Sequence, residues 1–276
     1  MRIKFPAAFR LEVVLILAMI AFVGTSPSQA LAENAEQVPT VLITGSNRGI
    51  GFEFVRQYAA KGWHVIATCR RPQEAEALQA LSADYPNITI EELDVLRHDM
   101  IDALAKKYRK QPIDVLLSNA GFFGDTLQIV GQFYGRLDYS LLDRYIWTNA
   151  VGPLKMSEAF FDHVAASKQK KMMSLSSLEG SIQGNLSPGQ FWYSASKVSQ
   201  NIFMTKVAGL PKFKRAGIMV GMFSPGLIIR DYTRNLDVPD KVEVEVSVAG
   251  MIEVIENFTP EMSGSFVKYN GAIVPW

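Results

Sequence analysis

Apolar positions between residues 39 and 276 follow two alternating rhythms. Short continuous runs such as Val41-Leu42-Ile43 have the length of strands buried on both faces. Longer stretches, such as Phe52 to Ala60, space their apolar residues at the helical period. The runs predict strands near 40–44, 63–68, 88–93, 113–118, 170–176, 217–223 and 265–268, with helices between. Strand and helix alternating in this way predict a single α/β domain on a parallel sheet. No internal repeat, low-complexity tract or interdomain linker interrupts it.

Residues 1–32 break the rhythm. Arg2, Lys4 and Arg10 precede an apolar run, Val13 to Gly24, that is short for a membrane span. Ala30-Leu31-Ala32 then has the small-x-small form of a signal-peptidase site. The segment is expected to be a secretory signal, so the protein is expected to be exported, periplasmic or membrane-associated, with residues 33–276 left for the fold. An uncleaved anchor is one competing reading, and a misassigned start upstream of a cytoplasmic enzyme is another. Membrane contact is expected, if at all, only through this segment.

Composition mostly excludes. Lys and Arg total 28 against 27 Asp and Glu, for a formal net charge of +1. That balance offers no electrostatic case for nucleic acid. The single cysteine, Cys69, rules out an intrachain disulfide framework. His64, His98 and His163 are scattered, and no His/Cys cluster has metal-ligand spacing, so no metal is expected.

Two motifs carry chemistry. Thr44-Gly-Ser-Asn-Arg-Gly-Ile-Gly51 sits between the first strand and the first helix, where a dinucleotide fingerprint belongs. Gly45 permits the tight turn, while Gly49 and Gly51 let backbone and helix approach a pyrophosphate at the helix N-terminus. The second motif, Tyr193-Ser-Ala-Ser-Lys197, puts a phenol and an ammonium on one helix face. A tyrosine ionises near a pKa of about 10, and a neighbouring cation lowers that value.

The G-x-x-x-G-x-G spacing resembles that of the short-chain dehydrogenase/reductase family, and further landmarks follow in family order. The resemblance implies a Rossmann-type doubly wound parallel sheet of about seven strands. It implies that Asp94 and Val95, after the third strand, contact an adenine. Asn119-Ala120-Gly121 would close over the adenine ribose, with Ser118 departing from the usual second asparagine. No acidic residue follows the second strand, where an NAD site usually has one. Arg70 stands there instead, and with Arg48 it suits a 2′-phosphate, which favours NADP(H) over NAD(H). Two solvated surface arginines are the alternative. Cofactor contacts are thus expected from Gly45, Ser46, Asn47, Arg48, Gly49, Ile50, Gly51, Arg70, Asp94, Val95, Asn119, Ala120, Gly121, Tyr193 and Lys197. Ser224-Pro225-Gly226 would add Pro225, Gly226 and Ile228 at the nicotinamide end. Arg230 stands where the family often has threonine, so it faces substrate or cofactor phosphate, or the carboxamide contacts differ.

The same resemblance implies a catalytic tetrad of Asn149, Ser177, Tyr193 and Lys197. Family spacing picks Ser177, three residues before Gly180, over the adjacent Ser176. The implied activity is an NADP(H)-dependent carbonyl reductase or alcohol dehydrogenase acting on a small-molecule carbonyl or alcohol. The C-terminal Pro-Trp and the run Val65 to Arg70 look most like the C-factor-type carbonyl reductases. The alternative is an exported cofactor-binding signalling or regulatory protein with little turnover. A homodimer or homotetramer is also implied. Leu154, Phe160, Phe161, Ile202 and Phe203 are the candidate contact residues, with ordinary core packing as the alternative.

Overall fold

The computed structural model describes residues 38–184, 188–229, 234 and 241–276. The expected signal segment and Arg230 lie outside the described residues, as does most of the stretch between Ile229 and Val246. Seven strands form one sheet: β1 (Thr40–Thr44), β2 (His64–Cys69), β3 (Ile88–Glu92), β4 (Val115–Ser118), β5 (Lys171–Leu175), β6 (Met219–Ser224) and β9 (Phe266–Lys268). Each lies within two residues of its expected bounds. A separate two-stranded ribbon, β7 (Leu227–Ile228) with β8 (Lys241–Val242), has no counterpart in the sequence reading. The helices are α1 (Gly49–Ala60), α2 (Glu76–Asp84), α3 (His98–Lys107), α4 (Thr126–Val130), α5 (Leu142–Ile146), α6 (Gly152–Ala159), α7 (Phe161–Ala165), α8 (Phe191–Gly209), α9 (Pro211–Ala216) and α10 (Val244–Glu256).

Why the strands read as unbroken apolar runs is visible in the packing. Side chains alternate between the two faces of a strand, and here both faces are covered. Leu42, Ile66, Leu116 and Met172 join α3, α6 and α8 in one core layer. Val41, Ile43, Val65, Val115 and Met173 join α1 and α10 in the other. Each fully buried side chain of this kind contributes about 1.5–3 kcal/mol.

All strands are parallel, in the order β3-β2-β1-β4-β5-β6-β9. The chain winds outward from β1 on one side and from β4 on the other, so the order reverses between them. A doubly wound sheet binds its ligand outside the strand carboxyl ends at that reversal. The opposite edge is closed. There the buried Asp114 carboxylate accepts from the Thr40 N–H at 2.9 Å and from the Lys168 and Gln169 N–H groups at 3.2 Å. Cys69 ends β2, buried and unpaired, and burial pushes its thiol pKa up.

Candidate active site

The glycine loop leaves β1 with Gly45 at φ +71° and Gly49 at φ +58°, conformations that disfavour a β-carbon. A β-carbon on Gly45 would come within 2.9 Å of the Ala120 Cα. One on Gly51 would overlap the Gly45 carbonyl oxygen and the Asn119 amide nitrogen. Ser46 faces inward, its Oγ donating to the Ile43 carbonyl at 2.9 Å, while Asn47, Arg48 and Gly49 are exposed. Ile50 is half-buried against the core. Arg48 caps α1 without a side-chain bond, which leaves the first-turn N–H groups open to a ligand. A cradle with no room for side chains, ending on an uncapped helix, fits a dinucleotide pyrophosphate.

Asn119 supports this loop from beneath. Its Nδ2 donates to the carbonyls of Thr44 at 2.8 Å and Gly45 at 3.1 Å. The Asn119 and Ala120 N–H groups both donate to the Thr44 hydroxyl. The Asn119 amide is therefore engaged in holding the glycine turn. Arg70 is exposed at the end of β2, next to the strand that leads into Arg48. Asp94 accepts from the Leu96 N–H at 3.0 Å. Val95 is buried and packs against Gly152. Pro225 gives its carbonyl to the Ser247 hydroxyl at 2.6 Å, Gly226 takes φ +78°, and Ile228 is buried on the β7–β8 ribbon.

Tyr193 and Lys197 stand one turn apart on α8, with the Lys197 ammonium 5.7 Å from the centre of the tyrosine ring. Lys197 is buried, and its Nζ donates to the Leu175 carbonyl at 2.8 Å and to Gln200 Oε1 at 2.9 Å. Burial pushes its pKa down to about 7. Asn149 is fully buried. Its Oδ1 accepts from the Phe122 N–H at 2.6 Å, and its Nδ2 donates to the Phe122 carbonyl and Ser196 Oγ, both at 2.9 Å. A β-carbon on Gly121 would lie 3.5 Å from Asn149 Oδ1 and 4.0 Å from Lys197 Nζ, so the bare glycine keeps this space open.

Asn149 sits in a π-helical turn, Trp147–Val151, between α5 and α6. The cause lies four residues on. Pro153 has no N–H to return to Asn149, and its ring crowds the carbonyl at that position. The ladder slips by one residue, and the Gly152 N–H donates to Trp147 instead. Such turns recur at functional sites, and here the Asn149 carbonyl loses its helical donor.

Of the two adjacent serines, Ser176 is buried and Ser177 is half-exposed just past the end of β5. Ser177 Oγ accepts from the Glu179 N–H at 3.3 Å. The turn that follows is fastened to α8, where the Asn201 amide donates to the Gly180 carbonyl at 3.0 Å and the Ser194 hydroxyl donates to the Glu179 carboxylate. The turn after Ser177 is therefore tied to the helix that carries Tyr193. Neighbours absent from the sequence reading are Phe123, whose ring meets Tyr193 edge-on at 4.9 Å, together with Tyr145, Gln132 and Gln200. Phe160, named above as a candidate contact between copies, lies in this chain's own core.

Residues 39–241 match the sequence profile of the short chain dehydrogenase family. The chain is 30% identical over 243 residues to 1-hydroxy-2-glutathionyl-2-methyl-3-butene dehydrogenase of Rhodococcus sp. strain AD45, covering 86% of this chain and 99% of that one. It is 30% identical over 168 residues to the C-signal of Myxococcus xanthus, covering 60% and 93%. The NADPH-bound carbonyl reductase from chicken fatty liver has a TM-score of 0.76 and 30% identity, over 87% of this chain and 99% of that one. With the fold and the family profile in agreement, the chain belongs to the short-chain dehydrogenase/reductase family of oxidoreductases, on its carbonyl-reductase side.

Proposed function

We propose that the protein is an NADP(H)-dependent oxidoreductase that interconverts a carbonyl compound and its alcohol, with Tyr193 as acid in reduction and base in oxidation. The observation that carries this reading is the buried Lys197 ammonium 5.7 Å from the Tyr193 ring. Residues Gly45 to Gly51 and the open N-terminus of α1 would hold the pyrophosphate, with Arg48 and Arg70 at the 2′-phosphate. A bound NADPH supplies hydride to the carbonyl carbon. Tyr193 Oη gives its proton to the carbonyl oxygen, which becomes the alcohol hydroxyl. Ser177 Oγ hydrogen-bonds that oxygen and fixes its approach. When protonated, Lys197 lowers the phenol pKa by favouring the phenolate left behind. The Asn149 carbonyl holds the water through which Lys197 reaches solvent. Phe123 beside Tyr193 favours a medium-sized, partly apolar substrate.

Aldehydes and ketones assayed by NADPH absorbance test the reading. Tyr193→Phe keeps the ring and removes the proton, so turnover should fall by about 10²–10⁴ with NADPH binding intact. A variant that kept most of its activity would exclude Tyr193 as the acid. The similarity to the C-signal favours a second reading, a cofactor-binding regulatory protein. Tight NADPH binding without turnover on any carbonyl would select it.

Export and assembly are also proposed. Residues 1–32 would be removed as a signal, and mass spectrometry of the protein from its native host should then find a chain beginning at Glu33. An intact Met1 in the cytosol excludes export. Ile202 and Trp147, each 48% exposed, offer apolar surface for a homodimer or homotetramer.

A further inference from the structure

We propose that Gln132 is a positioning residue for Tyr193, a cap supplied from a distant loop that fixes the first turn of α8; this rests on Tyr193 being the acid of the reaction proposed above. A helix leaves its first N–H groups without partners, and the residue before it usually caps them. Gln190, at that place, adopts a left-handed φ of 58° and makes no side-chain cap. Gln132 takes over from 61 residues away. Its backbone carbonyl accepts from the Phe191 N–H at 3.2 Å, and its Oε1 accepts from the Tyr193 N–H at 2.8 Å.

The other half of the amide reaches the rings around the phenol. Gln132 Nε2 donates to Tyr145 Oη at 2.8 Å, with a longer bond to the Gln128 carbonyl at 3.4 Å. Tyr145 Oη donates onward to the Phe123 carbonyl at 2.6 Å. Phe123 then packs edge-on against Tyr193 at 4.9 Å, and Tyr145 stands 6.5 Å from the same ring. Gln132 is fully buried, so neither end of its amide can trade these partners for water. A reversed amide would set a donor against the Tyr193 N–H, so the network admits one orientation. One side chain thereby holds the backbone of Tyr193 and, through Tyr145 and Phe123, the flank of its ring. These polar contacts lie between residues 123 and 193, apart from the glycine cradle.

The test separates positioning from stability. Gln132→Met removes all three side-chain hydrogen bonds at similar volume. In the folded full-length protein kcat should fall about 10²-fold, the usual consequence of a displaced reacting group, with NADPH Kd within about twofold. Gln132→Glu keeps an acceptor for the Tyr193 N–H but not the amide donor to Tyr145 Oη, so it should recover part of that loss. In a Tyr193→Phe background Gln132→Met should cost nothing further. Unchanged kcat, or an equal loss in that background, overturns the proposal. If Gln132→Met does not fold, Tyr145→Phe carries the test, with lower kcat at unchanged NADPH affinity expected and unchanged kcat overturning it. Amide exchange reads the cap without turnover. It should quicken at Tyr193 in Gln132→Met, where the side-chain acceptor is lost, and stay unchanged later in α8. Unchanged exchange at the Tyr193 amide overturns the cap. Faster exchange in a protein that reduces no carbonyl upholds the cap and removes the enzyme reading instead.

Discussion

Replacing Lys197 with methionine should make the protein more stable while abolishing its turnover. Lys197 ionises at about 7 in the folded chain against an ordinary 10.5, because burial strips its ammonium of water. The folded value is the lower one, so the unfolded chain binds more protons between those limits. Stability therefore rises with pH across the window from about 7 to 10.5, and the cost is fully present below it. At pH 7 the shift costs about 4 kcal/mol, at 1.36 kcal/mol per unit less the half already titrated. Methionine keeps an apolar stem and removes the charge, but it forfeits two donations. The Leu175 carbonyl retains the Gln200 Nε2 donor at 3.3 Å, which leaves Gln200 Oε1 as the atom that loses a partner. That loss costs about 1–3 kcal/mol. The net gain at pH 7 is then about 1–3 kcal/mol, or roughly 2–12 °C in Tm for a domain of this size. Calorimetry of both proteins between pH 6 and 10 reads it directly. The difference should be largest at low pH and vanish, or reverse, towards pH 10. A variant less stable at every pH, or a difference flat with pH, refutes the reasoning.

Gly51→Ala should abolish NADPH binding measured by fluorescence, since its methyl overlaps the Gly45 carbonyl and the Asn119 amide; retained affinity would show that the loop can move. Arg70→Asp should weaken NADPH and favour NADH, because a carboxylate repels the 2′-phosphate and accepts from ribose hydroxyls. Dissociation constants for both dinucleotides check it, and an unchanged preference assigns Arg70 to solvent. Protein lacking residues 1–32 should fold and bind NADPH as the full chain does, because β1 and the glycine loop lie downstream. Light scattering on it decides between homo-oligomer and monomer.

The inner strands of the sheet were legible because burial on both faces leaves few polar positions to interrupt their runs. The glycine cradle was legible because only glycine fits both the positive φ at Gly45 and Gly49 and the closeness at Gly51. Tyr193 and Lys197 were legible from one turn of spacing. Asn119 shows where such reading stops. Its place in the loop identifies the cofactor edge, but only coordinates show its amide supporting Thr44 and Gly45. Pro153 did carry a local signal, since a proline four residues after Asn149 must disturb that carbonyl. Gln132 carried none. It is a polar residue in an aperiodic stretch, and its partner lies 61 positions away.

Cys69 has a use that its seclusion creates. The residue is 3% exposed at the end of β2, where its neighbours pair with β1 and β3. With the thiolate disfavoured and the approach blocked, an alkylating reagent finds it only when that edge of the sheet opens. Labelling kinetics would therefore time the breathing of the strand that leads to Arg70, using the one sulfhydryl the chain already has. A dinucleotide that grips this edge should slow the clock in proportion to its occupancy, which turns a silent core residue into a reporter of ligand binding.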